Sequence, residues 1–121
     1  MNDRSAILII DDEEVIRDSC THVLKKEHYA IETAENGEKG LQMVEDWKPD
    51  IVFVDLKMPG ISGMEVLERL NKKDATIVSV VITGYATIDT AVEAMKRGAY
   101  DFLPKPFNAD ELRLITRRGL E

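Results

Sequence analysis

The run Ile51-Val52-Phe53-Val54, closed by Asp55, limits what this chain can fold into more than any other stretch. Four apolar residues in succession leave no polar face, so a strand made from them must be covered on both sides. The interior of a parallel sheet with helices on both faces meets that condition. Ala6-Ile7-Leu8-Ile9-Ile10 repeats the pattern, and residues 77–82 repeat it again before ending at Thr83. Residues 29–34 form a weaker strand whose Glu32 and Thr33 suggest an edge. Residues 100–103 form a short one that runs into Pro104-Lys105-Pro106.

Between these strands the apolar period changes to that of a helix. Ile16, Cys20, Val23 and Leu24 give the first helix a stripe, and Asp11-Asp12-Glu13-Glu14 place acids at its start, where they complement the helix dipole. Asn36-Gly37 marks a turn or cap before a second helix with Gly40, Leu41, Val44 and Trp47 inward, ended by Lys48-Pro49. Pro59-Gly60 forces a turn, with Gly60 suited to positive φ, and Ser62 to Glu65 has the spacing of a capping box. Met64, Leu67 and Leu70 follow. Ile88, Ala91, Val92 and Met95 define a fourth helix stopped at Gly98, and Asn108 opens a fifth bearing Leu112, Ile115 and Leu120.

Five strands alternating with five helices predict an α/β fold with a single doubly wound five-stranded parallel sheet; a barrel would need more units. Right-handed crossovers favour a flavodoxin-like (βα)5 topology with strand order 2-1-3-4-5. A chain of 121 residues reads as one domain spanning residues 1–121. Its net charge of −7 argues against direct nucleic-acid binding, which needs clustered cations. The single cysteine, Cys20, offers no disulfide and reads as a buried, inert thiol. No apolar run approaches the length of a membrane span, and no leader pattern opens the chain, so the expected location is cytoplasmic.

In that strand order the carboxyl ends of the strands bring Asp11, Asp12, Asp55, Thr83 and Lys105 to one rim. Two unit charges about 4 Å apart cost about 4 kcal/mol at an effective dielectric near 20. One lysine cannot offset three such anions, so a divalent cation is implied, and Mg²⁺ suits an all-oxygen site that also meets a phosphate. Asp55 is then a candidate nucleophile forming an acyl phosphate. Thr83 and Lys105 supply a hydroxyl donor and a cation for the phosphoryl oxygens. His22, His28 and Cys20 form no recognisable nucleophile-and-base set. A flavin carrier would want a glycine- and hydroxyl-rich loop where four acids stand. An aspartyl-phosphate hydrolase would place Asp where Lys57 is.

Asp11-Asp12 after strand one, Asp55-Leu-Lys-Met-Pro-Gly after strand three, Thr83-Gly after strand four and Phe102-Leu-Pro-Lys105-Pro after strand five together resemble the receiver domain of two-component response regulators, the CheY-like superfamily. The resemblance covers essentially the whole chain. It implies a phosphoacceptor switch rather than an enzyme, one that catalyses only its own phosphorylation and dephosphorylation. It implies that Asp55 takes a phosphoryl group from a sensor histidine kinase, and that Mg²⁺ is held by Asp11, Asp12, Asp55 and the Lys57 carbonyl. It further implies a cis Lys105-Pro106 bond and a switch made of Thr83 and Phe102, where many relatives carry Tyr. Residues 84–92 resemble the receivers of NtrC-type transcription activators, so the expected forms are the N-terminal part of a longer activator with its own output domain or, as the alternative, a stand-alone receiver. A surface on the fourth helix, fifth strand and fifth helix, with Lys96, Arg97, Asp101, Arg113, Arg117 and Arg118, is the expected partner or homodimer face.

Overall fold

A computed structural model describes residues 4–121. The elements follow one another as β1 (Ala6–Ile10), α1 (Glu14–Lys25), β2 (Ala30–Ala34), α2 (Gly37–Trp47) and β3 (Ile51–Asp55). They continue with α3 (Gly63–Lys73), β4 (Val78–Thr83), α4 (Ile88–Lys96), β5 (Asp101–Pro104) and α5 (Ala109–Leu120). All strand pairs are parallel and the sheet order is β2-β1-β3-β4-β5, as the sequence pattern predicts. β2 is an edge strand, in keeping with its polar residues.

The two central strands show why their sequences are apolar throughout. Residues 7–10 and 51–54 have no measurable solvent exposure. Successive side chains point to opposite faces of a strand, and both faces here are covered. Ile7, Ile9, Ile51, Phe53, Val80 and Ile82 pack with Cys20 and Leu24 of α1 and Leu112 and Ile115 of α5. Leu8, Ile10, Val52, Val54 and Val81 pack with Val44 of α2, Val66, Leu67 and Leu70 of α3, and Ala94 of α4. Each large apolar side chain so buried contributes about 1.5–3 kcal/mol. Burial pushes the Cys20 thiol up to about 12, so it is a core group rather than a nucleophile.

The helix ends differ from the sequence expectation in two places. Ser62 accepts the Glu65 amide at 3.2 Å, but Glu65 does not reach back; its carboxylate binds Arg69 instead, 2.7 Å from Nη2. Ser62 therefore supplies half a capping box. A complete one forms at Thr87, where Thr90 answers the cap and also bonds the Tyr85 carbonyl at 3.0 Å. Asn108 and Glu111 make the other complete box. Gly60 has φ of +85° and Lys105-Pro106 is cis, both as expected.

α4 departs most from expectation. Its inward side is Ala94, fully buried, while Ile88 is 83% exposed and Val92 and Met95 are nearly half exposed. The apolar stripe of this helix faces outward. A small residue lets the helix lie close against the layer formed with Val81 and Ala99. The longer apolar side chains are left on the far side.

Gly63 begins α3 directly against the end of β3. Its amide donates to the Leu56 carbonyl at 2.9 Å, and a Cβ there would lie 2.1 Å from the Asp55 carbonyl oxygen and 2.6 Å from Leu56 Cα. No side chain can turn away to relieve a clash with backbone. Gly63→Ala is expected to cost about 1–3 kcal/mol in urea unfolding, as overpacked sites do; unchanged stability would show that α3 can shift freely.

Candidate functional site

Register along the sheet assembles the site. Ile10 of β1 stands beside Val54 of β3, so the next residues, Asp11 and Asp55, leave the sheet together. Asp55 stands beside Ile82, which places Thr83 one step beyond, and Ile82 in turn stands beside Leu103. Thr83 also holds the chain leading to Lys105, because its carbonyl accepts the Lys105 amide at 2.7 Å. Side-chain parity then divides the group. Asp11 follows Ile7 and Ile9, and Asp55 follows Ile51 and Phe53, all on the α1 and α5 side. Thr83 follows Val81 on the α4 side, where the partly buried Phe102 sits beside Val81.

The carboxylates of Asp11, Asp12 and Asp55 each offer an oxygen within 4.8 Å of the others. Asp11 is fully buried, Asp55 is 5% exposed, and Asp12 faces solvent. Lys105 enters from the other side of the rim. Its ammonium lies 2.7 Å from Glu13, 3.0 Å from Asp11 and 3.3 Å from Asp55, with its side chain 13% exposed. Asp11 Oδ1 accepts the Glu13 amide at 2.9 Å, whereas Oδ2 meets the Lys105 ammonium as an ion pair and has no hydrogen-bond partner. A buried carboxylate oxygen without a hydrogen bond is costly unless a cation occupies its free lone pairs. The donor set is all oxygen, so the residues present fit a hard divalent ion such as Mg²⁺.

The electrostatics follow from the same geometry. Burial raises the Asp11 carboxyl above the usual range, opposed by the Glu13 amide and by Lys105 and reinforced by the charge of Asp55. Burial likewise raises Asp55, against the opposing charge of Lys105 and the Lys57 amide, 3.4 Å from its Oδ1. Lys105 is pulled both ways. Burial lowers its pKa, but the carboxylates of Glu13, Asp11 and Asp55 outweigh burial and hold it above the ordinary lysine value.

Two loops close over the cleft. Lys57 follows β3 and Tyr85 follows β4, and the Lys57 ammonium lies 4.2 Å from the centre of the Tyr85 ring, a cation–π contact. The Tyr85 amide donates to Thr83 Oγ1 at 3.0 Å, which leaves the hydroxyl hydrogen for another acceptor. Asp12, Glu13, Asp55, Lys57, Met58, Pro59, Gly84, Tyr85 and Lys105 line this cleft. Each residue expected at the rim is thus within it or, for Thr83 and Phe102, on the strands beside it. Glu13 and Tyr85 complete the wall. Glu13 read in sequence as a helix-start acid, because it lies in no periodic pattern, whereas Tyr85 read as a loop residue placed with Lys57 to gate attacking water.

Because the folded-state carboxyl of Asp55 is raised, its charged form opposes folding at neutral pH. Asp55→Asn is therefore expected to be more stable than the parent in metal-free buffer at pH 7. The parent gains on the variant as pH falls through the raised folded-state pKa towards the ordinary 3.8. Urea unfolding at several pH values checks both statements.

Comparison with known proteins bears on this rim. The model of the response regulator receiver domain matches residues 7–117. Over 117 residues the chain is 40% identical to the nitrogen assimilation regulatory protein NtrX of Azorhizobium caulinodans, covering 95% of this chain and 26% of that protein. It is 38% identical over 120 residues to the sporulation initiation phosphotransferase F of Bacillus subtilis, covering 99% of this chain and 95% of that one. Among solved structures, a CheY-like receiver domain protein from Methanospirillum hungatei superimposes with TM-score 0.94 at 30% identity, covering 98% and 94% of the two chains. The NtrX receiver domain of Brucella abortus gives 0.89 at 39% identity, covering 94% and 97%. The chain spans about a quarter of the length of the NtrX-type relatives it matches. With the family model spanning nearly all of it and the acidic rim at the strand ends where such a fold presents ligands, the chain belongs to the family of response regulator receiver domains.

Proposed function

We propose that Asp55 is the phosphoacceptor of a two-component switch, and that residues 1–121 act as one receiver unit. The observation that carries this reading is the convergence of Asp11, Asp12 and Asp55 within 4.8 Å, with Lys105 on the same carboxylate pair. In this reading an Asp55 oxygen attacks the phosphorus of a kinase phosphohistidine. The P–O bond forms as the P–N bond breaks, and the electron pair stays with the imidazole. Asp11, Asp12, Asp55 and the Lys57 carbonyl would hold Mg²⁺, which offsets charge on the phosphoryl oxygens. Lys105 supplies a second positive charge. Thr83 donates its hydroxyl to a phosphoryl oxygen and so draws away from the α4 side of β4, where Phe102 can fill the space. The aspartate switches state and turns over only itself.

The partners follow from the same reading: a sensor histidine kinase upstream and an output domain downstream. One relative, DctD of Pseudomonas aeruginosa, is named a transcriptional regulatory protein, which supports transcription regulation as the output, and the proposed place is the cytoplasm. No helix among the described residues is long and apolar enough to cross a membrane. The added phosphoryl carries about −1.5 to −2 charges at neutral pH and shifts the balance of α4, β5 and α5. That face is more apolar than its sequence suggested. Ile88, Val92 and Met95 of α4, Tyr100 just before β5, and Leu114 of α5 are exposed. Three of the expected charges are engaged within the chain: Arg97 with Glu93 and Glu68, Arg113 with Asp110, and Arg117 with Glu27.

Incubation with a small phosphodonor and Mg²⁺ should add one phosphoryl group by intact mass, and Asp55→Asn or a chelator should abolish it. A gain undiminished by either would overturn the assignment. Sedimentation before and after phosphorylation should show a shift from monomer to dimer that Ile88→Ser with Val92→Ser prevents; unchanged monomers would remove the dimer from the reading.

A further inference from the structure

Glu13 is the one acid of the rim to which neither the metal set nor the phosphoacceptor chemistry gives a task. It stands at the N-cap position of α1, yet its side chain caps nothing. Its carboxylate reaches across to Lys105 instead, at 2.7 Å from Nζ, closer than Asp11 at 3.0 Å or Asp55 at 3.3 Å. An ammonium has three donors, and three carboxylates surround this one. The ammonium hydrogen-bonds Glu13 and Asp55 and ion-pairs with Asp11, so a phosphoryl oxygen on Asp55 must compete with these carboxylates for it. Asp11 and Asp55 belong to the group whose oxygens can share a cation, so a bound divalent ion engages them in place of the lysine. Glu13 lies outside that group and keeps its hold.

We propose that Glu13 is a positioning residue that competes with the phosphoryl group for Lys105 and thereby weakens the phosphorylated state of the switch. The inference rests on the phosphoacceptor reading of Asp55. It makes the lysine a shared resource: on Glu13 in the resting rim, on the phosphoryl oxygen in the active one. Glu13 is 55% exposed, so the pair is worth little more than a surface ion pair and acts as a bias rather than a lock.

The test measures beryllofluoride, a phosphoryl mimic, binding at saturating Mg²⁺ and followed by the amide resonances of Asp55 and Thr83. A Mg²⁺ titration without the mimic sets the saturating level for each protein. Glu13→Gln is expected to bind the mimic about two- to fivefold more tightly than the parent, the range for losing one exposed ion pair. Glu13→Asp retains the charge but is one methylene too short for the lysine, and should behave like Glu13→Gln. The gain should shrink with added salt and vanish when Lys105→Met is introduced beside it. Unchanged or weaker binding by Glu13→Gln overturns the proposal, as does a gain that survives Lys105→Met. A parent protein that binds Mg²⁺ but no beryllofluoride overturns the phosphoacceptor reading itself.

Discussion

Residues 7–10 and 51–54 give up all contact with solvent, and the carboxylates that follow them, Asp11 and Asp55, inherit that burial. Two acids at the ends of adjacent buried strands are costly in the charged form, as their raised pKa values record. Lys105 is the compensation the fold provides, and it reaches them only because the β4–β5 register and the Thr83 carbonyl fix where the chain leaves the sheet. The site is therefore a consequence of sheet packing. Central strands apolar enough to be sandwiched between two helical layers deliver their last residues into a half-dry rim. There a cation or a phosphoryl group meets stronger electrostatics than water would allow.

The same rim is overdrawn in negative charge. Asp11, Glu13 and Asp55 surround the Lys105 ammonium, Asp12 adds a fourth acid beside Asp11 and Asp55, and one oxygen of Asp11 has no hydrogen bond. Such a site is unsettled in its resting state by construction, and ligands that bring positive charge relieve it. The groups involved are also tied to the two loops that line the cleft. The Lys57 amide contacts Asp55, the Tyr85 amide contacts Thr83, and the side chains of Lys57 and Tyr85 meet over the cleft. These contacts link the aspartate to both loops. The second loop leads straight into α4, whose cap joins Thr87, Thr90 and the Tyr85 carbonyl.

α4 is suited to respond. It buries only Ala94 among its side chains and turns Ile88, Val92 and Met95 outward. Its far end is tethered by Arg97, which bonds Glu93 at 2.6 Å and reaches Glu68 of α3 at 3.6 Å. An element with little buried apolar area and an exposed apolar stripe has a low cost of displacement and a reason to find a partner.

Much of this was legible in the amino-acid sequence, for identifiable reasons. Long apolar runs such as residues 6–10 and 51–54 read as sandwiched strands, and with the weaker strands they make five that alternate with amphipathic helices, which determined the layers and favoured the sheet order. Once the order was known, Asp11, Asp12, Asp55, Thr83 and Lys105 had to share one rim, since parallel strands present all their carboxyl ends together. What only the tertiary structure decided lies one step finer. Glu13 looked like a helix-start acid because a carboxylate there suits the dipole; its turn towards Lys105 depends on how β5 ends across the sheet. Glu65 looked like the second half of a cap, but Arg69 one turn on competes for it. The α4 stripe looked like a buried face because periodicity tells which residues lie together on a helix and is silent on which side meets the sheet. That choice fell to Ala94, whose small side chain permits the close approach, and it left the larger apolar residues facing outward.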